Sequence, residues 1–296
     1  MEKMKKIYLA LAVISGVLSA NAQNFKKVIG FNHIESVTHD DEFLYISDIG
    51  VAMKPTDKDG DGKILKLDRD GKIVDANYIK EKLNAPKGLT IANGVLFVAD
   101  IDKIIAFEVK TGSKLYEVDF AGETTFLNDI IVWNDTTLYV TATDKSKIYK
   151  VDLSENKFEP IATDVEIKGA NGLFADKENN RIWVNGFGAN SEANGVMGYI
   201  SLADNKFSAI TPIEGYYDGL YVYDGVVYFS NWMAFEKKGI IASMSLIDKK
   251  VKTVELSEPI SGPADFTVFK NRIIVPGMLD GSLNFITIQK ESLYIH

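Results

Sequence analysis

The chain has 296 residues, of which 46% are hydrophobic, and it carries a formal net charge of −8 with no cysteine. The absence of cysteine excludes disulfide bonds, thiolate catalysis and cysteine-bound zinc. Beyond the N-terminus there is no cluster of basic residues, so nucleic acid and anionic membranes are poor partners, because both require concentrated Lys and Arg. A cation or a neutral small-molecule substrate suits this charge better.

The first predicted element in chain order is a secretory signal peptide over residues 1–22. Lysines stand among the first six residues, and Ile7 to Leu18 form an apolar run that is too short to span a bilayer. Ala20-Asn21-Ala22 has the small residues of a cleavage site. An uncleaved anchor is the alternative. We therefore expect residues 23–296 to form a single exported domain, periplasmic or secreted, with no membrane insertion after cleavage.

A repeated phrase dominates the rest of the chain. Each copy has a polar residue, a short apolar strand, a polar turn such as Asn93-Gly94 or Asp224-Gly225, and a second apolar strand. Asn, Asp and Gly favour hairpin turns because they tolerate positive φ. A period of roughly 40–50 residues with several short strands is typical of a β-propeller blade. The copies open at Glu35, Lys87, Asn128, Asn171, Asp218 and Asp265.

Further short strands follow each copy. Ile64 to Leu67 and Lys72 to Val74, for example, flank a polar turn and complete the first unit. The sequence therefore predicts an all-β fold, a six-bladed β-propeller with four-stranded antiparallel blades. Ser282 to Ile288 has the pattern of an outer strand, and Phe25 to Phe31 is expected to pair with it. Such pairing would close the ring and remove exposed sheet edges.

The residues that open the copies are candidate metal ligands. The innermost strands of a propeller line a central channel, so equivalent repeat positions are expected to converge there. Carboxylate and amide oxygens are the ligands that Ca²⁺ prefers, and converging carboxylates without a cation would repel one another. Glu35, Asn171 and Asp218 are the predicted set, with Lys87 as another source of neutralising charge. The alternative is that these residues enter turns and bind local backbone.

Short motifs around these positions carry a resemblance to a known family. The motifs are Glu35-Ser36 followed by Leu44, Leu127-Asn128-Asp129, Ala170-Asn171-Gly172-Leu173 and Tyr217-Asp218-Gly219-Leu220. Over residues 25–290 the chain resembles the senescence-marker-protein, gluconolactonase and luciferin-regenerating-enzyme family of six-bladed propellers.

The resemblance implies one divalent metal, usually calcium, held by Glu35, Asn171 and Asp218. It also implies that Asn128 lies close to the metal and contacts the substrate or a metal-bound water. With such a cation polarising a substrate oxygen, Asp218 is the candidate base or nucleophile, which makes Asp218 and Asn128 the predicted catalytic residues. His33, two residues before Glu35, is a weaker candidate for proton transfer, a turn histidine being the alternative.

Departures from the family pattern concern the substrate. Phe126 stands where the family commonly has an Arg that binds polar sugar groups, and Ala170 and Tyr217 replace prolines. A sugar lactone is therefore disfavoured, and Phe126 is expected to contact a less polar substrate. Packing between blades is the alternative for each aromatic residue. The residues that predict an aromatic mouth are Phe126, Tyr216, Tyr217, Trp232 and Phe187.

Two functions fit these patterns. The first is a calcium-dependent hydrolase of a lactone or related ester, and the second is a non-catalytic exported propeller that binds a ligand or protein, with a structural cation in its channel. Asp57 to Gly62 has the acidic spacing that opens an EF-hand-type loop, but Asp68 stands where a bidentate Glu is required. This segment is either a small calcium loop or a solvated loop.

Overall fold

The computed structural model describes residues 25–235 and 237–288, which form six four-stranded antiparallel sheets arranged as a β-propeller. The all-β, six-bladed prediction is confirmed. The predicted signal peptide lies outside the described residues. Across the described ranges the helical structure is a short 3₁₀ turn at Thr143–Lys145. No helix in this part of the chain is both long enough and apolar enough to cross a membrane.

The blades follow one another along the chain, and their first strands contact one another around the channel. Blade one contains β2 (Ile34–His39), β3 (Leu44–Asp48), β4 (Lys63–Leu67) and β5 (Ile73–Asp75). Blade two contains β6 (Pro86–Ala92), β7 (Val95–Asp100), β8 (Lys103–Glu108) and β9 (Lys114–Asp119). Blade three contains β10 (Leu127–Asn134), β11 (Thr137–Ala142), β12 (Lys147–Asp152) and β13 (Lys157–Pro160).

The remaining blades use the same order until the ring closes. Blade four contains β14 (Ala170–Asp176), β15 (Arg181–Gly186), β16 (Met197–Ser201) and β17 (Phe207–Ala209). Blade five contains β18 (Tyr217–Tyr223), β19 (Val226–Asn231), β20 (Ile240–Ser245) and β21 (Val251–Thr253). Blade six contains β22 (Thr267–Phe269), β23 (Arg272–Gly277), β24 (Ser282–Thr287) and the N-terminal strand β1 (Phe25–Ile29).

The predicted closure of the ring is confirmed by blade six. Strand β1 pairs antiparallel with β24, with Phe25 opposite Ile286 and Ile29 opposite Ser282. The first strand of the described chain thus becomes the outer strand of the last blade. This pairing ties the two ends of the ring together and covers the edge that β24 would otherwise expose.

The apolar cores lie between neighbouring blades. Phe97 of blade two packs in one cluster with Leu138 and Tyr149 of blade three, and Trp183 of blade four packs with Phe229 of blade five. Each fully buried large apolar side chain contributes about 1.5–3 kcal/mol to folding. The apolar strands of the repeat therefore supply the surfaces that pack between neighbouring blades.

A β-bulge interrupts the first strand in each of blades one to five. In blade one, Ile34 pairs with Asp48 and Val37 with Ile46, so Glu35 and Ser36 lie opposite the single residue Ser47. A bulge of this kind bends the strand and redirects a side chain. Corresponding shifts occur in the pairs β6–β7, β10–β11, β14–β15 and β18–β19.

Glycine occupies the second bulge position in blades two, four and five. A Cβ atom on Gly88 would lie 2.4 Å from the carbonyl oxygen of Asn128, and one on Gly172 would lie 2.2 Å from the carbonyl oxygen of Asp218. Both distances are shorter than a carbon atom tolerates. The Asn-Gly and Asp-Gly pairs of the repeat therefore combine a channel side chain with a residue that lets the next blade approach.

Candidate metal centre in the central channel

The bulges bring five of the six residues that open the repeat to one cavity. Each lies at the first unpaired position of its strand, where the bulge turns its side chain toward the channel. Their side chains line a cavity of about 200 Å³. The five residues are Glu35, Lys87, Asn128, Asn171 and Asp218.

Polar residues of the second strands hold these bulges in place. Ser47 Oγ accepts the backbone N–H of Ser36 at 2.9 Å, and Ser230 Oγ accepts that of Gly219 at 2.7 Å. Thr141 and Asn185 accept the corresponding N–H groups in blades three and four. A small polar residue one position before the end of these four second strands is a sequence signal for the bulges that our sequence analysis missed.

Four buried oxygen atoms in this cavity have no hydrogen-bond partner among the described residues. They belong to the two carboxylates and the two amides, each at most 4% exposed. Buried acceptors are nearly always paired, so four in one cavity indicate a group that supplies positive charge or donors. The atoms are Glu35 Oε2, Asn128 Oδ1, Asn171 Oδ1 and Asp218 Oδ1.

Neighbouring groups fix the direction of two of these oxygens. Trp232 Nε1 donates to Asp218 Oδ2 at 2.9 Å, which leaves Oδ1 as the free carboxylate oxygen. Asn128 Nδ2 donates to Thr143 Oγ1 at 3.2 Å, and Thr143 Oγ1 donates to the carbonyl of Ala170 at 2.9 Å. Each bond uses the other polar atom of the side chain, so the unpaired oxygen is held in a set orientation.

Burial makes the two carboxylates difficult to ionise. Desolvation raises the pKa of Glu35 well above its usual value, and the nearby charges of Asp218 and Asp265 raise it further. Desolvation likewise raises the pKa of Asp218, with Asp265 adding to the effect and the Trp232 hydrogen bond opposing it. A cation between these carboxylates would remove the repulsion and favour their charged forms.

The donor set fits Ca²⁺ better than a transition metal. Two carboxylates and two amide carbonyls are hard oxygen ligands, and four protein oxygens leave room for water or substrate within the six to eight ligands that Ca²⁺ takes. Within the described ranges, no three His, Cys, Asp or Glu side chains are grouped as a metal site. A metal held by these four oxygens would take half of its protein ligands from the amides of Asn128 and Asn171.

Lys87 places a cation in the same cavity. Its side chain is 1% exposed, and Nζ donates to the carbonyl of Ala85 at 3.0 Å and lies 4.7 Å from the ring centroid of Phe126. Desolvation lowers the pKa of Lys87 to about 8, an effect that the charge of Glu35 opposes. The charge of Glu35 and the ring of Phe126 both favour the ammonium form of the group.

Asp265, the sixth residue that opens the repeat, does not line the cavity. Its Oδ2 accepts the Ser36 hydroxyl at 2.5 Å and its Oδ1 accepts the backbone N–H of Phe266 at 2.8 Å. Burial raises the pKa of Asp265 to about 7. Asp129, next to Asn128, is also buried and accepts the N–H of Leu173 at 2.6 Å. These two carboxyl groups link adjacent blades.

The aromatic mouth differs in part from the prediction. Phe126, Phe187 and Trp232 line the cavity. Tyr217 does not, because it lies in the core between blades and its hydroxyl donates to the carbonyl of Ile213 at 2.8 Å. Phe235, which the sequence analysis missed, lines the cavity and is 56% exposed.

Two weaker candidates have other partners. His33 Nδ1 lies 2.9 Å from the carbonyl of Met278, which follows the second strand of blade six. In the acidic loop, Asp61 accepts the N–H of Val51 at 2.9 Å, and Lys54 pairs with Asp57 at 2.8 Å. The loop carboxylates are thus partly engaged, and calcium binding there stays a prediction.

Comparison with known proteins confirms the fold. No family model matches the chain, and no curated protein matches its sequence. A virginiamycin B lyase from Staphylococcus aureus, solved as a catalytically inactive variant with quinupristin, superposes with a TM-score of 0.60 at 14% identity, covering 90% of this chain and 99% of that one. A streptogramin B lyase gives the same TM-score and identity over 92% and 100% of the two chains.

A chain in the structure of a nidogen/laminin complex is also similar in fold, with a TM-score of 0.56 at 11% identity over 82% of this chain and 84% of that one. At such identities the likeness concerns the fold alone. The class that fold and geometry define is therefore a six-bladed β-propeller with a polar, oxygen-rich channel site.

Proposed function

We propose that the protein is an exported, calcium-dependent hydrolase of lactones or related esters. The observation that carries the proposal is the convergence of four unpaired, buried oxygens on one cavity. Glu35, Asn171 and Asp218 are the proposed ligands, as the family resemblance implies, and the free Oδ1 of Asn128 adds a fourth. The proposed export rests on the signal-peptide pattern of residues 1–22.

The cation, when bound, would supply Lewis-acid polarisation of a substrate carbonyl oxygen. The proton transfer and the cleavage of the ester bond then proceed as follows. Asp218, in its charged form, takes the proton of the attacking water. The water oxygen bonds to the carbonyl carbon, the acyl C–O bond breaks, and the departing oxygen takes a proton. A lactone gives one hydroxycarboxylate, and an ester gives one alcohol and one carboxylate, in both cases with release of a proton.

In this scheme Asn128, as the fourth proposed ligand, lies next to the substrate, and Phe126 contacts the substrate. The bond from Asn128 Nδ2 to Thr143 holds its Oδ1 toward the cavity, and the Phe126 ring replaces the Arg that binds sugar groups in the resembled family. An apolar wall at that position favours a lactone or ester with little hydroxylation.

A turnover screen tests the proposal. Protein treated with chelator and then dialysed is assayed against lactones, carboxylic esters and organophosphates, with and without added Ca²⁺. We expect hydrolysis of at least one lactone or ester that requires added Ca²⁺, detected as a hydroxy acid one water heavier than a lactone, or as the separate acid and alcohol of an ester. Tight Ca²⁺ binding without turnover of any substrate would contradict the hydrolase proposal and favour the non-catalytic binding propeller.

A further inference from the structure

Lys87 has a place in the cavity that holding a metal does not explain. It occupies the same bulge position as the proposed ligands, one blade after Glu35, but its side chain is cationic and would repel a metal ion. Its ammonium makes one hydrogen bond, to the carbonyl of Ala85, and no ion pair with a carboxylate among the described residues. The ammonium can therefore donate further hydrogen bonds to a ligand in the cavity.

The Lys87 ammonium is a buried charge without a directly bound counter-ion. Its side chain is 1% exposed, and no carboxylate of the described residues lies within ion-pair distance of Nζ. A buried charge is costly unless it is paired, so the part of the cavity next to Lys87 is complementary to an anionic group.

Much of the cavity wall is apolar. Trp232, Phe187 and Phe235 pack against one another with ring centroids 5.3–6.0 Å apart. Met53 and Met278 extend this wall. We call the three rings, the two methionines and Phe126 together the aromatic collar. Hydroxyl groups placed against such a wall would lose their hydrogen bonds to water, whereas an aryl or alkyl group would gain burial.

We propose that Lys87 and the aromatic collar form a subsite for small apolar organic acids, with the carboxylate on the Lys87 ammonium and the apolar group against the collar. This inference rests on the proposed hydrolase function and names its substrate class: lactones and esters of apolar acids, whose carboxylate products bind back in the same cavity. Phe126 lies against the Lys87 ammonium and keeps it directed toward the cavity.

Calorimetric titration of the Ca²⁺-saturated protein tests the subsite without requiring turnover. Phenylacetate is compared with phenylacetamide, its neutral isostere, and with gluconate, a polyhydroxy acid. We expect phenylacetate to bind at least about tenfold more tightly than phenylacetamide, because charge-assisted hydrogen bonds are the stronger ones. It is also expected to bind more tightly than gluconate, which the collar disfavours. Equal affinities for the acid and the amide, or preference for gluconate, would overturn the inference.

Variants locate the effect. Lys87→Met keeps the length and apolar stem of the side chain and is expected to abolish the preference for phenylacetate over phenylacetamide. Lys157→Met, at a lysine whose side chain is 74% exposed on strand β13, is the matched control and should keep the preference. A preference that survives Lys87→Met in a folded variant would refute the role of Lys87.

The outcomes separate this inference from the proposed function. Acid selectivity in a protein that hydrolyses nothing would leave the subsite standing and reject the enzyme. Ca²⁺-dependent hydrolysis without acid selectivity would support the enzyme and reject the subsite. The comparison of phenylacetate with phenylacetamide uses the wild-type protein, so equal affinities overturn the inference even if Lys87→Met fails to fold.

Discussion

Replacing Asp218 with Asn is expected to weaken Ca²⁺ binding by about 100-fold or more, because affinity depends on the number of charged ligands and ligand loss exceeds the 10–100-fold typical of supporting residues. The substitution is nearly isosteric, and the Asn oxygen can still accept the Trp232 N–H that Asp218 accepts at 2.9 Å. Turnover should fall with metal affinity and stay low at saturating Ca²⁺, since Asp218 is also the proposed base.

Asp224→Asn is the matched control for this change. Asp224 lies in the hairpin turn of the same blade with φ of 50°, a conformation that Asn adopts readily. It should bind Ca²⁺ as the wild type does. If calorimetry shows the same Ca²⁺ affinity for Asp218→Asn and the wild type, Asp218 is not a ligand.

The second large effect is a pH-dependent stabilisation by Ca²⁺. Burial raises the pKa values of Glu35 and Asp218 in the folded state. A carboxyl group of this kind stabilises the fold fully below its unfolded pKa, and this stability is lost as pH rises through the folded value. The cation-free protein should therefore lose stability above about pH 4. Ca²⁺ replaces the bound protons, so its stabilising effect should grow with pH.

Thermal unfolding with and without Ca²⁺ measures this effect. At a Ca²⁺ concentration 100 times the dissociation constant, stabilisation is about 2.7 kcal/mol, which corresponds to a rise in Tm of about 5 °C or more. We expect a clear rise at pH 8 and a much smaller one at pH 5. Asp218→Asn should reduce both the rise and its dependence on pH. An equal rise at both pH values would show that the ion binds groups other than these buried carboxylates.

The blade architecture was predictable because its signal repeats along the chain. Hairpin turns such as Asn93-Gly94 recur between apolar strands. The N-terminal segment Phe25–Ile29 precedes the first repeat, and pairing with the last strand closes the ring, as the structure shows. The convergence of Glu35, Asn171 and Asp218 on one cavity followed from the same repeat. Equivalent positions in neighbouring blades lie close in space even when far apart in sequence.

Side-chain direction was less predictable, for physical reasons. Successive residues in a strand face opposite sides, so Tyr217, which precedes Asp218, faces the core, and alternation alone would have shown this. Asp265 occupies the repeat position, but Ser36 and the N–H of Phe266 engage both of its oxygens. Phe235 follows strand β19 in an irregular segment outside the repeat, where no periodicity places a side chain.

The most direct measurement is the location of the ion itself. In crystals soaked in a calcium salt, diffraction should show a peak in the central channel about 2.3–2.6 Å from four oxygen atoms. These are Glu35 Oε2, Asn128 Oδ1, Asn171 Oδ1 and Asp218 Oδ1. A channel without such a peak, or with these oxygens turned onto protein donors, would contradict a metal centre at the hub of the propeller.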